Sequence, residues 1–224
     1  MCGIIGYSGP KEPLPILIGG LSRLEYRGYD SAGVAILDGE KLTIEKKEGK
    51  LQILKDHLEN SKINGNIGIG HTRWATHGVP NDVNAHPHSD NQKEFAIIHN
   101  GIIENYAEMK DDLLKEDFIF ESDTDTEVVA VELGNQWTGR LLETVTNVAK
   151  KLDGTYALVV TSTKEPGTIV AGRMMSPLVL GVGEGETFLA SDSAAILEHT
   201  NKMIFLENGD FVEITNGKFK LFDI

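Results

Sequence analysis

Residues 1–9 read MCGIIGYSG, and Cys2 is the only cysteine among the 224 residues of the chain. The apolar run after Cys2 ends in glycine, a pattern that predicts a short buried strand. A single cysteine is often just a small buried hydrophobic residue, and that interpretation stays open at this point. The alternative is a nucleophile at the chain terminus, which requires complementary groups elsewhere in the sequence.

The rest of the chain predicts one α+β domain over residues 1–224, with sheet layers covered by helices. A first helix is predicted within EPLPILIGGLSRLEYRG, which has prolines near its start, Gly28 at its end and apolar residues at helical spacing, namely Leu14, Leu17, Ile18, Leu21 and Leu24. Asp38-Gly39 lies between two β-prone runs and predicts a hairpin with a tight turn. Further helices are predicted at 50–60, 103–116, 124–134 and 139–152. Ser122 and Asp123 are the capping candidates for the helix at 124–134. From residue 154 onward the pattern is one of short strands, and the whole chain should contain about a dozen strands.

The composition of the chain limits which partners and which cellular compartment the protein can have. The formal net charge is −13, from 34 acidic and 21 basic residues, which disfavours both nucleic acid and anionic membranes as partners. No apolar run approaches the roughly 18 residues that span a bilayer. One cysteine excludes an internal disulfide and fits a reducing compartment. With no secretory signal visible, we expect a cytoplasmic protein.

Three polar segments are candidates for a functional site, because fixed side chains at strand ends are well placed to meet a ligand. They are HTRWATHG at 71–78, HNG at 99–101 and SDTDTE at 122–127. We expect the first two to be loops that follow apolar strands, and the third to begin a helix. Each also has a purely structural interpretation, as a surface clasp, a hairpin turn and a helix cap respectively.

The three segments together offer what amide hydrolysis by a terminal cysteine needs. Removal of Met1 would give Cys2 a free α-amine with a pKa of about 7.7–8.0, beside a thiol of about 8.5. One residue then supplies both the nucleophile and its base. Asn100 Nδ2 and the Gly101 backbone N–H form a candidate oxyanion hole for the tetrahedral intermediate.

The same segments offer recognition groups for a free amino acid. Arg73 suits a carboxylate through bidentate pairing, and Asp125 suits an ammonium group. Trp74, Thr76 and His77 are candidates for a lid that limits the access of water.

These motifs resemble a known family. CGIIGY, RLEYRGYDSAG, GHTRWATHG, NAHPH, HNGIIEN and SDTDTEV are similar to the glutaminase domain of the glutamine–fructose-6-phosphate aminotransferases, also called glucosamine-6-phosphate synthases. The Cys-Gly-Ile start alone indicates only the wider class II glutamine amidotransferases. LEYRGYDSAG and HTRWATHG are much more specific, and the resemblance extends over essentially the whole chain.

The resemblance implies the αββα sandwich of N-terminal-nucleophile hydrolases. It implies that Cys2 is the nucleophile, that Asn100 and Gly101 form the oxyanion hole, and that L-glutamine is the substrate. Arg73 and Asp125 would hold glutamine beneath a loop with Trp74, Thr76 and His77. Glutamate and ammonia would form through a Cys2 thioester, without a cofactor or metal. In the full-length enzyme the ammonia would serve glucosamine-6-phosphate synthesis in a C-terminal sugar isomerase portion, which is absent here, so we expect an excised domain.

Two other functions stay open on the sequence. A metal hydrolase would use several of the five histidines between residues 71 and 99, with Asp125, as zinc ligands. Against it, no HExxH spacing occurs, and we expect His71, His86 and His99 to pack and hydrogen-bond beneath the site. An amino-acid sensor would keep the cavity without turnover. The glycine-rich GVGEGE at 181–186 is acidic and lacks the lysine of a phosphate loop.

Overall fold

The computed structural model describes residues 2–27, 29–59, 61–74 and 78–223. Thr76 and His77, predicted as lid residues, lie outside the described residues. The described α-helices are α1 (Pro13–Leu24), α2 (Leu51–Leu58), α3 (Tyr106–Lys115), α4 (Asp125–Asn135) and α5 (Leu141–Ala149). All five were predicted from spacing, and none in the described part of the chain is long and apolar enough to cross a membrane.

The strands form two antiparallel sheets. The strands of the described residues are β1 (Gly3–Ser8), β2 (Ser31–Asp38), β3 (Lys41–Glu48), β4 (Ile67–Arg73), β5 (His88–Ser89), β6 (Phe95–Ile103), β7 (Gly154–Ser162), β8 (Thr168–Met174), β9 (Val179–Val182), β10 (Thr187–Ala190), β11 (Met203–Phe205), β12 (Asp210–Thr215) and β13 (Lys218–Asp223). One sheet has the order β11-β9-β10-β1-β4-β2-β3, and the other β13-β12-β8-β7-β6-β5. The predicted hairpin is β2–β3, with Gly39 in its turn at φ +55°.

Three apolar clusters define four layers. Residues such as Ile4 and Ile69 of the first sheet meet Ile98 and Val159 of the second in a core between the sheets. Helices α1 and α2 cover the outer face of the first sheet. Helices α4 and α5 cover the outer face of the second sheet through a separate cluster that includes Val129 and Val145. The architecture is therefore an αββα sandwich.

Both segments predicted as loops overlap strands. Strand β4 already includes residues 71–73 of the segment at 71–78. The segment 99–101 was expected to follow a strand, but β6 continues through it to Ile103. Asn100 pairs with Ala157 and Gly101 with Tyr156 of β7. The expectation was wrong because apolar Ile102 and Ile103 prolong the β pattern beyond the polar residues.

The cap of helix α4 also differs from the prediction. Thr124 is the N-cap, and its hydroxyl accepts a hydrogen bond from the Glu127 backbone N–H at 3.2 Å. Ser122 Oγ instead donates to Glu127 Oε2 at 2.7 Å. Thr124 and Glu127 have the spacing of a capping box, a signal that the sequence contained.

Candidate active site

Strand pairing determines the position of Cys2. Strands β1 and β4 are antiparallel, with Gly3 opposite Thr72. Cys2, one residue before β1, therefore lies beside the end of β4, at Arg73 and the following Trp74. Both strands are in the middle of the seven-stranded sheet, where β1 lies between β10 and β4.

The thiol of Cys2 is bound by the backbone of Trp74. The Trp74 N–H donates to Cys2 Sγ at 3.2 Å, and Sγ lies 3.5 Å from the Trp74 carbonyl oxygen. Burial raises the pKa of the Cys2 thiol, and the hydrogen bond from Trp74 opposes this by stabilising the thiolate. A base beside the sulfur is therefore needed for a reactive thiolate at neutral pH.

Asn100 joins the second sheet to Cys2. Its Nδ2 donates to the Cys2 carbonyl oxygen at 3.1 Å, and its Oδ1 lies 3.0 Å from His71 Nε2. The side chain is buried, with 8% of the residue exposed. An amide N–H is thus held on the Cys2 side of the cavity, where a donor for an oxyanion is required.

Gly101 occupies a place that no other residue fits. Its φ is +137°, and a Cβ there would lie 1.9 Å from the Thr155 carbonyl oxygen. The close approach of β6 to β7 at this point leaves no room for a side chain.

Arg73 and Trp74 form the rim on the β4 side. Arg73 is 3% exposed, and its Nη2 donates to the Gly78 carbonyl oxygen at 3.3 Å. Trp74 is 50% exposed, and its ring meets Tyr29 edge-on at a centroid distance of 5.6 Å. The guanidinium is therefore anchored, whereas the indole is open to solvent on part of its surface.

Asp125 is the first residue of helix α4. Its Oδ2 accepts a hydrogen bond from the Ile103 N–H at 2.9 Å, and Thr126 Oγ1 lies 3.3 Å from its Oδ1. Asp125 as a whole is 5% exposed, and it lines the cavity. A helix N-terminus favours a negative charge at this position.

Buried histidines support the site, as the sequence interpretation expected. Thr126 Oγ1 lies 2.9 Å from both His86 Nε2 and His99 Nδ1. The ring of His71 packs on that of His86 at a centroid distance of 4.3 Å. Burial lowers the pKa of His86 well below the ordinary histidine value. Among the described residues, no group of three or more His, Cys, Asp or Glu is arranged to hold a metal ion.

All six described residues that the sequence predicted for the site line one cavity of about 320 Å³. These residues are Cys2, Arg73, Trp74, Asn100, Gly101 and Asp125. The cavity also has lining residues that the prediction missed, namely Thr124, Thr126, Thr155, Ser176 and Pro177. Thr124 and Thr126 lie within the SDTDTE segment at 122–127, but their residue types gave them no assigned role. Thr155, Ser176 and Pro177 come from parts of the chain outside the three candidate segments.

A larger cavity of about 480 Å³ lies at the open edge of the sandwich, beside β3 and β5. Lys46 lines it, but its Nζ donates to the carbonyl oxygens of Val83 and Ala85. Glu127 lines it too, and its carboxylate already accepts from Glu121 and Ser122. The larger cavity therefore lacks the set of nucleophile, amide donor and charged groups that converges on the smaller one.

The sequence matches a known domain family over most of its length. The pattern of the glutamine amidotransferase domain family matches residues 55–219. The chain belongs to this family.

Curated relatives of the chain include proteins with a name more specific than that of the domain family. The chain is 50% identical over 223 residues to glutamine–fructose-6-phosphate aminotransferase [isomerizing] of Aquifex aeolicus, and 50% identical over 223 residues to the protein of that name in Clostridium perfringens. Both alignments cover 100% of this chain but 38% and 37% of the relatives. The chain thus spans a little over a third of the length of these relatives.

A solved structure supports the fold class. The glutamine phosphoribosylpyrophosphate amidotransferase from B. subtilis, solved with ADP and GMP, has a TM-score of 0.87 and 28% sequence identity. The match covers 99% of this chain and 49% of that one. The fold is that of the N-terminal-nucleophile amidotransferases, which confirms the αββα sandwich implied by the sequence motifs.

Proposed function

We propose that this chain hydrolyses the side-chain amide of L-glutamine to glutamate and ammonia, with Cys2 as the nucleophile. The observation that carries the proposal is the convergence of Cys2, Asn100, Arg73 and Asp125 on one cavity. A thiol and an amide donor meet the needs of acyl transfer, and the two opposite charges match the two ends of a free amino acid. Membership of the glutamine amidotransferase family supports the same activity.

The reaction begins from a chain whose first residue is Cys2. Its α-amine takes the proton of Sγ, and the thiolate attacks the side-chain amide carbon of glutamine. The negative charge that develops on the amide oxygen is stabilised by Asn100 Nδ2 and the Gly101 N–H. These donors belong to β6, which β7 holds in register.

The intermediate then collapses to a thioester. The carbon–nitrogen bond breaks, and the nitrogen leaves as ammonia with the proton held by the Cys2 ammonium group. Water attacks the thioester carbonyl after giving a proton to the same amine. The carbon–sulfur bond breaks, the sulfur regains a proton, and glutamate is released.

Arg73 and Asp125 hold the substrate through its α-carboxylate and α-ammonium groups. Both are buried in the free chain, which strengthens pairing with opposite charges because the local dielectric is low. Trp74, with Thr76 and His77, limits the access of water during the thioester stage.

We also propose the context in which the ammonia is used. In a full-length protein like the curated relatives, residues 1–224 act as one amidotransferase domain, and a C-terminal sugar isomerase portion takes the ammonia to make glucosamine 6-phosphate. The support is the similarity to proteins named glutamine–fructose-6-phosphate aminotransferase. The single cysteine fits a cytoplasmic location.

The test uses one sample in two states. The chain is made with a cleavable N-terminal tag, and ammonia release is measured before and after a cleavage that leaves Cys2 as the first residue. We expect turnover of glutamine, not asparagine, only after cleavage, and none from the cleaved Cys2→Ala variant. Equal turnover before cleavage would exclude the α-amine as base. Turnover by Cys2→Ala would exclude the thioester, and glutamine binding without turnover would favour a sensor.

A further inference from the structure

The side chain of Asn100 can occupy its place in two orientations, and only one of them supports catalysis. The nitrogen and oxygen of an amide are nearly equal in size, so shape alone does not select between the orientations. The proposed oxyanion hole needs Nδ2, not Oδ1, on the Cys2 side. Something near Asn100 must therefore fix the amide against a half-turn about its last bond.

One candidate for this task is the neighbour on the far side of the amide, His71. Its Nε2 lies 3.0 Å from Asn100 Oδ1 and 3.1 Å from the backbone carbonyl oxygen of His99. The carbonyl oxygen can only accept a hydrogen bond. His71 Nε2 must therefore carry a proton, and it then donates to Asn100 Oδ1 as well.

A flipped amide would meet two mismatches at once. Its nitrogen would face the N–H of His71, and its oxygen would face the Cys2 carbonyl oxygen that now accepts from Nδ2 at 3.1 Å. Each buried polar group left unsatisfied costs about 1–3 kcal/mol, so the flipped form is strongly disfavoured. The His99 carbonyl fixes the proton on His71, and that proton fixes the amide.

We infer that His71 is the positioning residue that keeps the Asn100 amide nitrogen aimed at the oxyanion of the reaction. This inference rests on the function proposed above. His71 itself does not line the cavity and is 0% exposed, so it acts through Asn100 and not on the substrate. Burial lowers the pKa of His71 to about 3, which leaves one ring proton for the donor role at working pH.

The kinetic test removes the donor and then restores it. His71→Leu, which has no donor, should lower kcat by about 10²-fold with little change in KM, as expected when one oxyanion donor is misdirected. His71→Gln, whose amide nitrogen reaches the position of Nε2, should recover most of kcat. Affinity for an aldehyde analogue of glutamine, which forms a thiohemiacetal at Cys2, should fall in parallel, while affinity for glutamate stays.

A double-mutant cycle separates this role from simple packing. If His71 acts only through Asn100, adding His71→Leu to the Asn100→Ala variant should cause no further loss of kcat. An equal loss in both backgrounds would overturn the inference. So would a His71→Leu variant that keeps kcat within twofold.

A second measurement does not depend on turnover. Nitrogen-15 NMR of the imidazole should find the His71 proton on Nε2. A proton on Nδ1 would overturn the inference whether or not glutamine is hydrolysed. If the tautomer is as expected and the processed chain releases no ammonia, the proposed function fails while the positioning of Asn100 stands.

Discussion

The two sides of the cavity are held in different ways. On the β6 side, Asn100 is 8% exposed and is bound at both ends of its amide, to His71 and to Cys2. On the β4 side, Trp74 is 50% exposed and its ring contacts Tyr29 at its edge. Groups that meet a transition state must be fixed in advance, whereas groups at an entrance must let a substrate pass. We therefore expect changes on the β6 side to lower kcat, and changes on the rim to act mainly on KM or on water access.

The largest effect should come from Gly101→Ala on the β6 side. The new Cβ would lie 1.9 Å from the Thr155 carbonyl oxygen, so β6 and β7 must separate at the oxyanion hole. We expect kcat to fall by at least about 10²-fold and stability by about 1–3 kcal/mol, measured by ammonia release and urea unfolding. Gly39→Ala is the control, since Gly39 also has a positive φ but has open space around it. It should keep kcat, and a similar loss of kcat in both variants would contradict the expected difference.

The next effect should come from Arg73→Lys on the rim. Lysine keeps the charge but loses the planar fork that binds a carboxylate at two points. A lost charged hydrogen bond costs about 1.5–3 kcal/mol, so KM for glutamine should rise about 10- to 100-fold with a smaller change in kcat. Arg140→Lys is the control, because Arg140 pairs with Glu213 outside the cavity. A fall in kcat with an unchanged KM would place Arg73 with the fixed groups instead.

A smaller effect concerns His88, a buried histidine of strand β5, which pairs with β6. Burial lowers the pKa of His88 well below the ordinary value, so the folded chain keeps it neutral. As pH falls below about 6.5, the unfolded chain binds a proton that the folded chain excludes, and stability falls. Each such histidine contributes a slope of up to about 1.4 kcal/mol per pH unit. His88→Gln should reduce the slope of unfolding free energy between pH 6 and 5 by nearly that amount. An unchanged slope in the His88→Gln variant would contradict this expectation.

The smallest effect should come from Trp74→Ala. The variant loses the half-exposed indole but keeps the backbone N–H that donates to Cys2 Sγ. We expect kcat for glutamine to change less than about tenfold, well below the effect of one lost oxyanion donor. Steady-state kinetics beside Trp74→Phe would measure this. A loss as large as that of Gly101→Ala would show that the rim also carries a fixed catalytic group.

The sequence allowed much of the fold to be predicted where local chemistry decides the structure. Asp38-Gly39 specifies its turn, and the spacing of Leu51, Leu54 and Leu58 specifies one face of α2. The segment 99–101 was misread because Asn and Gly favour turns in general, whereas pairing with β7 is a tertiary effect.

The site residues were predicted by chemical type and by resemblance, but their connections were not. That Gly3 lies opposite Thr72, and so brings Cys2 to Trp74, follows from strand register, which no local pattern encodes. The sequence predicted that His71 forms a hydrogen bond beneath the site, but not that its partner is Asn100 on the other sheet.

The hydrogen bond from the Trp74 N–H to Cys2 Sγ couples the ionisation of the thiol to the position of the Trp74 backbone. Whatever holds the Trp74 backbone in place favours the thiolate, because the N–H stabilises the ionised form more than the neutral one. By reciprocity, ionisation of the thiol must favour the same position of Trp74 by the same free energy. A ligand that holds the Trp74 backbone in this position therefore also lowers the pKa of the Cys2 thiol. The rate at which an alkylating reagent modifies Cys2 then reports whether that ligand is bound.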